Sequence, residues 1–301
     1  MSTAIIIPTF RRPDGLMAAL ESALAQSRPA DEIIVVDNSP EGGAREAIEA
    51  LGAATVRYVH EAEPGVANAR NTALAATDCR YIAFLDDDEI AQPNWLEALK
   101  VTAERLDAQV VFGPLQAQAP RASGLRLHLL NRLYSREGAA SDELLGKPFG
   151  CGNSLVDRAA FDLPQTPFPR HLNETGGEDD MFFAMLEQQG ARFAWSAGAG
   201  AIECVDPSRA NWRYLLSRSF SFGQGPSQHC ANKARPDWAG VAKWMLVGLA
   251  QFAIFAPLAV VTSLFSPRLS AGFIDKSAQA AGKIFWQDRF APRFYGSSAL
   301  G

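Results

Sequence analysis

Cysteine is scarce and scattered in this chain. Its four cysteines, Cys79, Cys151, Cys204 and Cys230, lie far apart and form no CxxC pair. That spacing suggests neither a disulfide framework nor a zinc site, and it suits a reducing, cytosolic compartment. Glycine is missing where a phosphate-binding loop would need it. Neither GxGxxG nor GxxxxGK[ST] follows the first strand-like run, where Pro8-Thr9-Phe10-Arg11-Arg12-Pro13 stands instead. A dinucleotide dehydrogenase and a P-loop kinase are therefore disfavoured, and bound phosphate would have to be neutralised by metal and arginine. Positive charge is short too: 28 Lys/Arg face 33 Asp/Glu, for a net charge of −5. The shortage is uneven. Residues 233–301 hold eight Lys/Arg against three Asp, so that segment stands at +5 and residues 1–232 at −10. An acidic body with a basic tail argues against a nucleic-acid partner and suits a tail lying on an anionic membrane surface. A basic leader is also lacking, since Met1-Ser2-Thr3 runs straight into Ala4-Ile5-Ile6-Ile7. The expectation is that at least the N-terminal part is not exported.

What is present begins with ordinary globular composition, 48% hydrophobic and 20% charged over 301 residues, enough for a full core. The first third alternates strand and helix signals. Strands are expected at 4–7, 32–36, 55–59, 81–85 and 109–112, and helices at 14–26, 44–51, 65–76 and 93–106. Apolar Leu16, Ala19, Leu20, Ala23 and Leu24 recur at helical spacing in the first helix, and a proline opens the fourth. This βα alternation predicts an α/β, doubly wound, mostly parallel sheet with a Rossmann-like nucleotide-binding half.

The sharpest feature is a junction. Tyr81-Ile82-Ala83-Phe84-Leu85 reads as a buried parallel strand and ends abruptly in Asp86-Asp87-Asp88-Glu89. Ligands of open α/β sheets bind beyond the carboxyl ends of such strands. Clustered carboxylates there would repel one another unless a cation sits among them, and oxygen-only ligands select Mg2+ or Mn2+. The acids are contiguous and lack the glycine and distal glutamate of an EF-hand. A solvated acidic turn is the bland alternative. Two further polar segments, Thr9-Phe10-Arg11 and Asp37-Asn38, close strands on the same expected edge. Phe10 would stack on a base or pack in the core. Asp37 would accept from a base or ribose, or form an Asx turn. Arg70 would neutralise phosphate or lie on a helix surface.

Residues 114–176 are less regular, with a helix expected at 125–135 and a turn-rich Gly150-Cys151-Gly152-Asn153-Ser154. A second acidic stretch follows, Asn173-Glu174-Thr175-Gly176-Gly177-Glu178-Asp179-Asp180, at the start of a helix running to Gln189. Acids in a first turn are favoured by the helix dipole in any case. The same position would hold a general base rigidly while lowering its pKa.

The ordered set Ile6-Ile7-Pro8-Thr9-Phe10, Asp37-Asn38, Gly65 with Arg70-Asn71, Phe84-Leu85-Asp86-Asp87-Asp88, Gly150-x-Gly152-Asn153 and Gly177-Glu178-Asp179 resembles the family 2 inverting glycosyltransferases of GT-A fold. The resemblance covers roughly residues 3–225. Arg218-Ser219-Phe220-Ser221-Phe222-Gly223-Gln224-Gly225-Pro226 is similar to a C-terminal signature of the succinoglycan-type exopolysaccharide transferases. The resemblance implies that Thr9, Phe10 and Asp37 bind the nucleoside, with uridine expected, and that Arg70 helps hold the nucleotide. It implies that Asp86 and Asp88 are the outer acids of a DXD motif, near the ribose and on the metal respectively. Asp179 matches the catalytic base, with Glu178 the less favoured candidate. The implied reaction is a single in-line displacement on a nucleotide sugar. In place of the Gln-x-x-Arg-Trp of processive synthases stands Trp212-Arg213-Tyr214-Leu215-Leu216-Ser217-Arg218, so transfer of one sugar is expected. Met185 replaces an arginine common on the base-bearing helix.

The expected organisation is a nucleotide-sugar half at 1–113, an acceptor and catalytic half of the same domain at 114–232, and a basic, apolar tail at 233–301. Residues 244–265 are almost all apolar and long enough to span a bilayer. Basic residues flank both sides, with Arg235 and Lys243 before and Arg268, Lys276, Lys283, Arg289 and Arg293 after, and Pro257 stands near the middle. A shallow hairpin or interfacial helix pair is expected, with Trp286, Phe290, Phe294 and Tyr295 in the headgroup layer. A buried core helix is the alternative. His229 beside Cys230 lacks spaced partners for a metal. The leading expectation is a metal-dependent enzyme at the cytoplasmic face of the cell membrane, extending a lipid-linked or oligosaccharide acceptor. The competitors are a sugar-phosphate nucleotidyltransferase, which would need a Gly-rich basic loop after strand one, and a non-catalytic nucleotide-sugar or glycan-binding membrane protein.

Overall fold

The computed structural model describes the chain except residues 121, 174, 175, 234, 293 and 295–301. Glu174 and Thr175 of the second acidic stretch, and Arg293 and Tyr295 of the tail, lie outside the described residues. In chain order the first elements are β1 (Thr3–Thr9), α1 (Pro13–Leu24), β2 (Glu32–Asp37), α2 (Arg45–Ala50), β3 (Val56–His60), α3 (Val66–Ala75), β4 (Tyr81–Phe84), β5 (Glu89–Ala91), α4 (Trp95–Leu106) and β6 (Val110–Phe112). All five expected strands and four expected helices are present, with ends within two residues. β5 is additional. It is too short to carry a period, and its first residue is the last acid of the acidic run.

Then follow β7 (Leu115–Gln118), α5 (Gly124–Tyr134), β8 (Glu143–Leu145), β9 (Ser154–Asp157), α6 (Glu178–Gln188), β10 (Phe193–Trp195), β11 (Ala201–Cys204), α7 (Trp212–Ala231), α8 (Trp238–Ser263) and α9 (Pro267–Ile284). The main sheet runs β3-β2-β1-β4-β9-β6-β10-β8, and a small sheet runs β5-β11-β7. β1, β2, β3 and β4 are mutually parallel. β9 inserts antiparallel between β4 and β6, with Phe84 and Phe112 both opposite Ser154. That reversal puts the start of β9 on the same edge as the ends of β1, β2, β4 and β6.

The chain divides into two units, and the sheets fall in the first, residues 1–116 with 136–204. Strand alternation sorts its apolar side chains. Ile5, Ile7, Ile33 and Val35 pack with Leu16, Leu20 and Trp95 on one side. Ala4, Ile6, Ile34 and Val36 pack with Phe84, Phe168, Phe182 and Phe183 on the other. Both faces are therefore covered, which is why the strands read as unbroken apolar runs.

The second unit is residues 117–135 with 205–294. Asn211 caps α7 by accepting from the Tyr214 backbone N–H at 2.9 Å. The 218–226 signature faces α9. A side chain at Gly223 would strike the Gln279 carbonyl, and one at Gly282 would strike the Phe220 carbonyl. Gln224 Nε2 donates to the Phe285 carbonyl at 2.8 Å, and Ser227 Oγ to that of Lys283 at 2.9 Å. Pro257 does not break the apolar segment, contrary to the sequence expectation. It sits inside one continuous helix, α8, and the turn comes at residues 264–266. The helix ends there because Ser266 caps the next one and Pro267 opens it. A buried core helix is also excluded, since only 17% of the most apolar stretch of α8 is buried.

Candidate active site

The acidic turn after β4 is held from three sides. Thr9, at the end of β1, donates from Oγ1 to Asp87 Oδ2 at 2.7 Å. Arg12 donates from Nη1 to Asp87 Oδ1 at 3.1 Å and to Asp88 Oδ2 at 2.7 Å. Burial and the neighbouring Asp88 charge push the Asp87 carboxyl up to about 6, although Arg12 and Thr9 oppose the shift. Glu89 is buried and accepts backbone N–H groups from Asp86 at 3.1 Å and Asn153 at 3.0 Å on Oε2. Burial, then Asp86 and Glu203, raise the Glu89 carboxyl well above its ordinary value. Phe10 is half-buried and belongs to neither core cluster. Arg11 adopts a positive φ of 55°, pairs with exposed Glu41 and lies 5.3 Å from the Phe10 ring.

Arg70 is buried, not a surface arginine. α3 begins at Gly65, whose φ of 149° and contact with Asn173 leave no room for a side chain. Asn38 Oδ1 accepts the Gly65 N–H at 2.6 Å, and Asn173 Oδ1 accepts that of Ala67 at 3.0 Å. From this fixed start Arg70 reaches two acids, pairing by Nη1 with Glu178 Oε1 and by Nη2 with Asp86 Oδ1 at 3.3 Å. Its guanidinium also lies 5.8 Å from the Phe168 ring. The two acidic stretches are thus tied together by one arginine.

The loop before β9 completes the edge. Asn153 holds a positive φ of 48° because its side chain is saturated. Oδ1 accepts from Trp95 Nε1 at 2.7 Å, while Nδ2 donates to the Pro114 and Ala199 carbonyls at 2.8 and 2.9 Å. Any side chain at Gly152 would strike Glu89 and come within 2.8 Å of Asp86 Oδ2. Arg136 donates to the Gly113, Asn153 and Gly150 carbonyls, and burial pulls its pKa down.

At the start of α6, Glu178 is buried, whereas Asp179 remains half-exposed. The lowered carboxyl pKa expected at this helix N-terminus does not hold for Glu178. Burial raises it, and Arg70 only partly offsets that. Asp179 accepts backbone N–H groups from Cys151 at 3.4 Å and from Asp180 at 2.9 Å, and Gly150 leaves it space, since a Cβ there would lie 2.9 Å from Oδ2.

Asp37 stands opposite Thr9 in the β1–β2 register and closes an Asx turn. It accepts from the Ser39 N–H at 3.0 Å, Ser39 Oγ at 2.6 Å, the Ala44 N–H at 2.8 Å and the Tyr58 hydroxyl at 3.2 Å. Burial works against the charge, but these donors outweigh it and the carboxyl is lowered. A ligand donor at Asp37 would have to displace one of them, and Tyr58 makes the longest bond.

The structure therefore joins Thr9, Asp87, Arg12 and Asp88 in one set of contacts and Asp86, Arg70 and Glu178 in another, the two meeting at the backbone of the acidic turn, with Asp179 beside Glu178. Arg12 and Arg136 were not singled out from sequence, and Asp87, Glu89 and Asn153 stood inside the motifs without a role of their own. Only the Arg11-Arg12 pair at a strand end carried a signal for the first. Among the described residues no three His, Cys, Asp or Glu side chains form a ready-made cation cage. Asp86 and Asp88 nevertheless suit a hard divalent ion. Both offer oxygen, the Asp86 side chain is 34% exposed, and burial with the Asp88 charge raises the Asp86 carboxyl, a strain that a cation would relieve.

Residues 4–163 match the family described as Glycosyl transferase family 2. The chain is similar to the succinoglycan biosynthesis protein ExoM of Rhizobium meliloti, 33% identical over 233 residues that cover 75% of this chain and 74% of ExoM. It is also similar to ExoO of the same organism, 28% identical over 65% of this chain and 59% of ExoO. Among solved structures, residues 1–349 of S. aureus TarS in complex with UDP-GlcNAc superpose with a TM-score of 0.54 at 14% identity, covering 80% of this chain and 70% of TarS 1–349. The family match spans more than half of the chain and takes in β1 to β4, the acidic turn and the Asn153 loop. This chain accordingly belongs to glycosyl transferase family 2 and has the GT-A fold.

Proposed function

We propose that the chain is an inverting transferase that moves one sugar from a nucleotide sugar, with UDP as the nucleotide, to a saccharide acceptor. One observation carries the reading. Arg70 pairs with Asp86 and Glu178 together, which leaves the half-exposed Asp179 as the carboxylate at the start of α6 with open surface for an acceptor. Asp179 accepts the proton of the acceptor hydroxyl while that oxygen bonds to the anomeric carbon and the bond to the diphosphate breaks. An α-linked donor then yields a β-linkage. Arg70 and Arg12 stand where the negative charge of the departing diphosphate must be met. A divalent cation held by Asp88 with Asp86, Mn2+ or Mg2+, would add electrostatic stabilisation to that leaving group. Thr9, Phe10 and Asp37 form the nucleoside end.

ExoM and ExoO are named for succinoglycan biosynthesis, and a protein of Bacillus subtilis, 30% identical over 170 residues that cover 54% of this chain and 65% of that protein, is named as a putative teichuronic acid biosynthesis glycosyltransferase. These names support exopolysaccharide or cell-surface glycan synthesis. With α8 as an exposed apolar helix, a lipid-linked acceptor at the cytoplasmic face of the cell membrane fits best.

The test is turnover of a nucleotide-sugar panel with Mn2+ or Mg2+ and membrane lipid extract, comparing wild type with Asp88→Asn and Asp179→Asn. Donor-selective transfer lost in both variants is the expected result. Turnover indifferent to Asp179→Asn would remove the base assignment and favour a binding protein.

A further inference from the structure

α8 is by length and composition the one helix among the described residues able to cross a bilayer. Its packing decides against crossing. α8 and α9 are joined by residues 264–266 and run antiparallel. Ser270 Oγ donates to the Ala259 carbonyl at 2.8 Å, the Phe255 and Phe273 rings stack at 5.9 Å, and Gly248 abuts the Ala280 carbonyl. This register sets Asp275 and Lys276 level with the middle of α8. Asp275 is buried in an ion pair with Arg132 of α5 at 3.1 Å, and Lys276 Nζ lies 5.1 Å from the Phe255 ring of α8. The other side of α9 is packed against α7 through Gly223 and Gly282. If α8 spanned a membrane, α9 would be drawn in beside it, placing a carboxylate and an ammonium at the bilayer centre, where charged groups are disfavoured.

We propose that α8 is the membrane-facing layer of a monotopic anchor, lying flat in one leaflet of an anionic bilayer with both its ends on the same side. The inference rests on the reading that this transferase works at a membrane, and it specifies how the chain is seated there. Leu246, Leu249, Phe252, Ile254, Val260 and Val261 are all exposed on α8, at 45% to 71% of their surface. Leu264 and Phe265 extend the surface into the turn, at 85% and 67% exposed. An apolar surface of this extent on a soluble monomer marks an interaction site. Charge complementarity names the occupant. Lys243, Arg268 and Lys276 border the apolar face, and the 233–301 segment carries its excess of Lys/Arg. A basic rim around an apolar helix face matches anionic headgroups over acyl chains. At 1.5 Å per residue α8 is about 39 Å long, and Trp238 and Trp286, 6.4 Å apart at one end, suit the interfacial layer.

The experiment uses the full chain. Flotation with phosphatidylglycerol-containing vesicles should recover the wild type, phosphatidylcholine vesicles should recover at least tenfold less, and Leu249→Glu with Val260→Glu should abolish recovery while leaving the circular dichroism spectrum unchanged. Ala239→Cys and Arg268→Cys, each at one end of the hairpin, are then probed in inside-out membrane vesicles with an impermeant thiol reagent. Labelling of both supports the proposal. Labelling of one alone means that α8 spans, and failure to float, or lipid-independent self-association through this face, overturns the proposal equally. Turnover with a water-soluble saccharide acceptor is read in parallel. A chain that floats but never transfers sugar keeps the seat and loses the proposed function, whereas a chain that transfers but does not float does the reverse.

Discussion

Arg70, Glu178 and Asp179 show how little chain separates a buried, paired acid from a half-exposed one. Glu178 and Asp179 are neighbours, yet the first is buried against Arg70 and the second is half-exposed. Glu178→Gln removes one of the two acids that pair with buried Arg70 and leaves it with Asp86 alone, which should cost about 1–3 kcal/mol. Asp179→Asn removes the proposed base and should lower kcat by roughly 10²–10⁴ with unchanged nucleotide affinity. Thermal unfolding and steady-state kinetics on both variants separate the roles, and a stable Glu178→Gln with lost kcat would reverse them. Arg12 behaves differently, because a single nitrogen, Nη1, serves both Asp87 and Asp88. A lysine ammonium supplies the same point charge, so Arg12→Lys should retain much of the nucleotide affinity that Arg12→Ala loses by about tenfold, an effect of roughly 1.4 kcal/mol. Calorimetric titration with a nucleoside diphosphate measures this. The resemblance already favoured Asp179 over Glu178, but neither the partners of Arg12 nor the burial of Glu178 was legible from sequence. Arg12 stood in a polar run whose tertiary partners lie far along the chain, and burial, which no residue declares by its type, separates Glu178 from Asp179.

Elements are tied by side chains that reach between them. Asp142 accepts from Thr102 Oγ1 at 2.8 Å on α4 and from the Ala197 N–H at 2.8 Å just after β10, and it pairs with Arg105. Burial alone would raise the Asp142 carboxyl, but these bonds prevail and lower it. A depressed native pKa adds stability that is complete above the ordinary carboxylate value and is lost as pH falls through the native value. Asp142→Asn should therefore cost about 1–3 kcal/mol at pH 7, and the gap to wild type should close as pH drops below about 4. Melting curves across that window are the check, and a gap independent of pH would rule the charge out. Gly223 makes the same point for packing. Gly223→Val would force α7 off the α9 backbone, at about 1–3 kcal/mol by overpacking, seen as a lower denaturant midpoint. The apolar strands and periodic helices were legible at this scale because their burial pattern is written in their own residues. β5 was not, nor was the unbroken course of α8. A three-residue strand has no period, and an interior proline, which removes one backbone hydrogen bond and disfavours a helix, reads as a break although α8 continues through Pro257.

For the whole molecule, Arg12 and Arg70 hold the acidic edge together by ion pairs among the protein's own side chains. Chelation of divalent ions should consequently abolish turnover and weaken nucleoside diphosphate binding while shifting the melting temperature by no more than about 2 °C, a fraction of a kcal/mol on the usual scale. Mn2+ or Mg2+ should restore both. A large melting shift would instead make the cation structural. By itself the sequence determined the α/β class, the positions of the first strands and helices along the chain, the two acidic stretches and the family they resemble, because period, propensity and contiguous motifs are local properties. Tertiary structure decided what those stretches touch. β9 runs backwards between β4 and β6, so the Asn153 loop joins the acidic turn, and α9 lies along α8 with Asp275 at its middle. Both follow from pairing between segments far apart in the chain, and no local pattern of residues encodes which partner a strand edge or a helix face will meet.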